Sequence, residues 1–181
     1  ERYHLALYEL QRAEHLAQHE FVSNFVMIPL EAGERGPFVP SSLAEIYYFD
    51  KAARRTSNSS FRKILVFYLD TTSSSISKGI FLLGCHLMMM FDSTPEELWD
   101  AFAHLHEMIM LEDASCPEGI VTHWKALHIA KGSGWIDFQN ALKAERDDLP
   151  EDEPLMEEYL HYASPANGHI HIVVPGELIL V

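Results

Sequence analysis

The sequence predicts an α/β fold in which a central, mixed and mostly parallel sheet is flanked by helices, all within one domain spanning residues 1–181. Three observations predict it. Ile64–Leu69 is an unbroken apolar run of strand length. Lys78–Phe91, shortly after it, is apolar on every side and reads as a buried helix. Before and after this pair, strand-like and helix-like segments alternate, the order expected when helices cover both faces of a sheet. A chain of 181 residues that is 48% hydrophobic can bury one substantial core.

Taken in order, Tyr3–Leu10 alternates imperfectly and forms a candidate opening strand, and Phe21–Ile28 is aromatic and β-branched enough for a second. Pro29–Pro40, with Gly33, Gly36 and Pro37, is a loop. Ser42 followed by Glu45 makes a capping box that starts a helix through about Arg55, with Leu43, Ile46, Tyr47 and Asp50 on one face, apolar except at its end. Arg54–Arg62 is a polar connection into the Ile64–Leu69 strand, and Asp70–Ser77 is a small polar loop before the long apolar helix. Met88, Met89 and Met90 in that helix read as core, since three consecutive residues cannot all face one partner. Thr94-Pro95-Glu96-Glu97 combines an N-cap, a proline at the first helical position and a reciprocal Glu, so a helix runs from Pro95 to about His106 with Leu98, Phe102 and Leu105 inward.

Thr122–Lys131 is a further helix with Trp124, Leu127 and His128 on one side, stopped by Gly132–Gly134. Eight acids between Glu145 and Glu158, with Pro150 and Pro154 among them, describe an exposed and poorly regular segment; recruitment of a basic peptide is its functional alternative. His169–Val174 alternates as a strand before the Pro175-Gly176 turn. The chain starts at Glu1 and ends inside the apolar run Leu178–Val181, which reads as a strand cut open and leads us to expect a piece of a longer polypeptide.

Composition narrows the function. A formal net charge of -14, from 27 acidic residues against 13 Lys and Arg, repels nucleic acid and favours basic or neutral partners. Cys85 and Cys116 make no disulfide framework, which suits a reducing, intracellular setting, cytoplasmic or nuclear. Asn58-Ser59-Ser60 matches a glycosylation acceptor but, with no signal peptide, is read as accidental. The apolar run Gly79–Phe91 is interrupted by His86 and is shorter than the roughly 20 residues of a membrane span, so no membrane partner is expected.

The strand, loop and helix around Thr71–Ser77 are built like a phosphate cradle, in which backbone N–H groups and a helix dipole meet an anion. Hydrolysis would also need a nucleophile and a charge clamp, and Thr71–Ser77 holds neither Cys nor Arg; Lys78 is the nearest cation. Cys85, preceded by Gly84, and Cys116, followed by Pro117, lack a correctly spaced Arg, so no catalytic residue is assigned within the segment. His15 and His19, with Glu20 nearby, have ligand spacing on a helix but no fourth partner, and they read as a surface pair. His104 and His106 would diverge on a helix, and His169 and His171 would share a strand face. No metal or other cofactor is expected.

Several motifs taken together resemble a known family. They are Gly36-Pro37, Arg62-Lys63-Ile64, Thr94-Pro95-Glu96-Glu97, Asp113-Ala114-Ser115, Gly134–Phe138, Glu158–Tyr162, Asn167-Gly168 and Val174-Pro175-Gly176. In order and spacing the chain resembles, over nearly its whole length, the N-terminal domain of the mitotic-exit dual-specificity protein phosphatases of the cell-division-cycle fourteen type. The resemblance implies a domain of dual-specificity-phosphatase fold without the catalytic phosphate loop, placed before a catalytic domain that would follow residue 181. That second domain, its intramolecular partner, would carry the His-Cys, five residues, Arg loop and a general acid.

The implied role is noncatalytic: one wall of a groove that positions phosphoprotein substrates, with dephosphorylation in cell-cycle control belonging to the parent enzyme. The substrate-binding residues carried over are Glu157, Glu158 and Tyr159. The positions of the family's recognition acids correspond here to Leu160, Ala163 and His169, a departure that bears on selection of basic substrates, because Leu160 cannot accept a hydrogen bond. The alternative reading is a pseudophosphatase or protein-interaction scaffold.

Overall fold

The structure, a computed structural model, describes residues 3–7, 25–29, 38–59, 64–69, 72–110, 116–136, 138, 160–168, 171–174 and 178–180. In chain order these form β1 (Tyr3–Leu7), β2 (Phe25–Pro29), α1 (Leu43–Ser59), β3 (Ile64–Leu69), α2 (Ser73–Phe91), α3 (Pro95–Ala101), a 3-10 turn (Ala103–Leu105), α4 (His106–Met110), α5 (Cys116–Gly132), a second 3-10 turn (Pro165–Asn167), β4 (His171–Val174) and β5 (Leu178–Leu180).

The expected α/β fold with a central sheet flanked by helices is corrected: this is a helical protein. Of the residues whose side-chain surroundings are described, 81% are helical, and the buried core described among them is built mainly from helix side chains, joined by Phe67 of β3. The strands fall into two separate pairings, a parallel β1-β3-β2 set and an antiparallel β4-β5 ribbon. The parallel set lies against α2, and α1, α4 and α5 pack on the same helix. The physical reason lies in α2. Ile76, Ile80, Phe81, Leu82, Leu83, Cys85, Met88 and Met89 are all buried, so the helix has no polar face to show to water and must be wrapped by other elements. Sequence reading gave the organising role to the strand beside it.

At 19 residues α2 has the length and mean hydropathy of a membrane span, yet 72% of that window is buried inside the fold. Its start differs from expectation. Thr72 is the N-cap and its hydroxyl accepts from the Ser75 N–H at 3.3 Å, so Ser73–Ser77 are helical rather than loop. Asp70 and Thr71 lie outside the described residues. At the other end Asp92 takes a left-handed conformation, φ 57. Lys131 of α5 donates to the Met88 carbonyl at 2.6 Å, to that of Met89 at 3.4 Å, and to the Asp92 carboxylate, satisfying carbonyls that the helix itself leaves open. The Lys131 hydrogen bond and charge hold the Asp92 carboxyl below the usual carboxylate range. A depressed carboxyl pKa stabilises the fold above its unfolded value, and that contribution is lost as pH falls through the folded one.

Both capping boxes form. Ser42 and Glu45 exchange hydrogen bonds at 2.8 and 3.2 Å ahead of α1, and Thr94 and Glu97 do so at 2.9 and 3.3 Å ahead of α3. α1 runs on to Ser59, beyond the expected Arg55. The single helix expected over Pro95–His106 is broken at Phe102 (φ -93, ψ 9), which leaves the helical region while Leu98, Phe102 and Leu105 still turn inward. Across the break the His106 imidazole stacks on Trp99 at 3.7 Å, and its Nε2 lies 3.0 Å from the Trp99 carbonyl. α5 begins at Cys116 rather than Thr122 and ends at Gly132, near Gly134 with φ 73. Ile64–Leu69 keeps its expected bounds; within the expected opening strands Tyr3–Leu7 and Phe25–Ile28 are strand, and residues 8–10 and 21–24 lie outside the described residues.

A close helix contact joins α2 and α5 at Gly84. Trp124 is fully buried and donates from Nε1 to the Phe81 carbonyl at 3.1 Å. Its ring lies against Gly84, where an added Cβ would stand 2.1 Å from Cζ2 and meet the ring rather than a flexible tip. Gly84→Ala therefore forces the two helices apart and should cost about 3 kcal/mol or more, at or above the upper end for overpacking, read as a fall in the urea midpoint. Thr94→Ala removes one half of a cap and should cost about 1 kcal/mol, a smaller shift in the same measurement.

Candidate functional site

Two places concentrate polar chemistry inside the described residues. The first joins α1 to α2. Asp50, buried on α1, accepts at Oδ2 from Arg54 Nε at 2.7 Å, one helical turn along. Its Oδ1 lies 2.7 Å from Nδ1 of His86 on α2, a residue wholly removed from solvent. Phe49 meets the His86 ring edge-on at 6.2 Å and packs on Phe67 at 5.4 Å, walling the cluster with aromatic surface. Arg54 Nη2 is buried without a hydrogen-bond partner among the described residues. Lys51, also buried, stands 6.0 Å from the Tyr47 ring, and Tyr47 in turn packs on Phe138.

This arrangement supplies position rather than turnover. All three groups are almost completely out of water, so a substrate cannot reach the carboxylate or the imidazole without parting α1 from α2. A charge in that setting is tolerable only when paired, and one carboxylate is divided between two partners, an oxygen to each. The apolar face of Leu43, Ile46, Tyr47 and Asp50 foreseen from sequence therefore does carry its polar end into the interior. What the sequence left hidden is the partner, His86, on another helix.

The second place is the start of α2. Ser73 Oγ donates to the Ile109 carbonyl at 3.1 Å, Ser77 Oγ donates to the Ser73 carbonyl at 2.7 Å, and Cys116 Sγ donates to Ser77 Oγ at 3.1 Å. The Ile76 N–H is taken by the Thr72 carbonyl at 3.0 Å. The Ser73 and Ser77 hydroxyls and the Ser75 and Ile76 N–H groups of the expected anion cradle are thus committed to the helix and to its contacts with α4 and α5. Lys78, the nearest cation, pairs with Glu45 of α1 at 3.4 Å.

Both cysteines are buried free thiols. Burial pushes the Cys85 thiol well up from its ordinary value, with the Asp50 charge adding to the effect and a hydrogen bond with Trp124 opposing it. A thiol so placed stays protonated and is no nucleophile at neutral pH.

Glu157, Glu158 and Tyr159 lie outside the described residues, as do His15, His19, Glu20 and His169. Leu160 is exposed and Ala163 half-buried on the surface segment 160–168, which carries no acid. His104 is exposed, whereas His106 turns onto Trp99. Among the described residues no cluster of His, Cys, Asp and Glu could hold a metal ion. Compared with protein-family models and with curated proteins, the chain matches none.

The buried cluster has a measurable signature. Asp50→Ala leaves Arg54 and His86 without their shared acceptor and should cost about 3–5 kcal/mol, the range for breaking a buried charged pair. Replacing Asp50, Arg54 and His86 together by apolar residues of similar volume should restore much of that loss, as seen in chemical denaturation of the single and triple variants.

Proposed function

We propose that this chain is a noncatalytic module that works through contacts, and that its setting is the substrate-positioning N-terminal part of a dual-specificity protein phosphatase. The noncatalytic half of the reading is carried by the placement of its two thiols. Cys85 and Cys116 are sealed in the helical core, where neither can approach a phosphate ester. The phosphatase half is supported by the ordered motifs from Gly36-Pro37 to Val174-Pro175-Gly176.

In this reading a separate catalytic domain breaks the P–O bond, and the chain contributes a surface that holds the phosphoprotein. Glu157, Glu158 and Tyr159 are assigned to substrate binding in this reading, the two glutamate carboxylates favouring a basic or neutral substrate segment. The excess of acid over base, 27 against 13, favours such a segment over nucleic acid. A second reading, a protein-interaction scaffold, is favoured by Ile129 and Trp135, large apolar side chains that are 63% and 59% exposed.

The chain alone should not hydrolyse an aryl phosphate above the buffer rate, and turnover abolished by Cys85→Ser or Cys116→Ser would overturn the reading. Added to a dual-specificity phosphatase catalytic domain, it should lower KM for a phosphopeptide while leaving aryl phosphate hydrolysis unchanged. Glu157→Gln with Glu158→Gln should reverse that gain. An unchanged phosphopeptide KM, together with retention of intact protein partners by the chain, would favour the scaffold.

A further inference from the structure

The described residues contain two hydroxyl amino acids followed by proline, Thr94-Pro95 and Ser164-Pro165, and the structure treats them oppositely. Both have the extended backbone that a following proline imposes, φ -80, ψ 155 at Thr94 and φ -64, ψ 133 at Ser164. The Thr94 hydroxyl is consumed by the capping box, and Pro95 is buried beneath it. Ser164 makes no side-chain cap, and among the described residues no other hydrogen bond engages its hydroxyl. Pro165, Ala166, Asn167 and Gly168 after it are exposed, and so are Leu160, His161 and Tyr162 before it. Ser164 itself is half-buried, in a turn fixed by its own bonds, Asn167 Nδ2 to the His161 carbonyl at 2.9 Å and the Asn167 N–H to the Ser164 carbonyl at 2.9 Å, with exposed residues on both sides.

Electrostatics separate the two positions again. A phosphoryl group adds about -1.5 to -2 charge. Around Thr94 it would meet Asp92, Glu96 and Glu97, whereas residues 160–168 hold no carboxylate and do hold His161. We propose that Ser164 is a phosphorylation site for a proline-directed Ser/Thr kinase and that Thr94, despite the same dipeptide, is protected by its fold. In the transfer, Ser164 Oγ bonds to the γ-phosphorus of ATP, the bond from that phosphorus to the β,γ-bridging oxygen breaks, and ADP departs. The hydroxyl proton passes to the kinase's catalytic carboxylate. The assignment does not depend on the phosphatase reading.

The test is labelling of the full chain with a proline-directed kinase and ATP, the sites mapped by mass spectrometry, beside synthetic peptides covering residues 90–98 and 158–168. Ser164 should be labelled both in the chain and in its peptide, and Thr94 in its peptide only. Ser164→Ala and Pro165→Ala should each abolish labelling of the folded chain at this turn while leaving its circular dichroism unchanged. Labelling of Thr94 in the folded chain at the level of Ser164 overturns the proposal. So does a chain left unlabelled at Ser164, whether or not the 158–168 peptide is labelled.

Discussion

A helix without a polar face imposes a boundary condition on everything around it. α2 has apolar side chains on all sides, and the molecule meets the requirement by packing α1, α4 and α5 on it and setting the parallel strands against it as well. Close approach on one side depends on the bare backbone at Gly84, which admits the Trp124 indole and lets its N–H reach a helix carbonyl. The indole thereby buries a large apolar ring and still finds an acceptor for its single polar atom.

Given that core, the Asp50 carboxylate acts as a register pin between α1 and α2. Apolar contacts between helices tolerate small slides, whereas a carboxylate with each oxygen 2.7 Å from a different partner does not. Sliding α1 along α2 would carry Asp50, with Arg54 on the same helix, away from His86 in a medium that cannot solvate the carboxylate. The cluster therefore contributes uniqueness of packing more than net stability, the balance seen when buried charges are exchanged for apolar groups in other proteins.

What was legible in the sequence was local. The capping boxes Ser42/Glu45 and Thr94/Glu97 depend on residues three positions apart, and both form as read. Ile64–Leu69 was legible from its β-branched and aromatic run. The start of α2 was not, because five Ser and Thr residues around the true cap are each plausible caps, and only packing against Ile109 and Cys116 decides among them. The Asp50–His86 bond joins residues 36 positions apart and leaves no periodic trace. The fold class was misjudged for a related reason: a continuous apolar helix and a continuous apolar strand both announce burial, and neither says which is wrapped around the other. Of the site, Cys85 was legible as a core thiol from its apolar neighbours.

The Lys131 bridge ties the exit of α5 to the exit of α2. Helix ends ordinarily fray one at a time, each last turn exchanging its amide hydrogens independently of its neighbours. Here one ammonium serves carbonyls of α2 from the last turn of α5, so loosening either terminus releases the other. A single side chain thus couples the last turns of two helices that lie far apart in sequence.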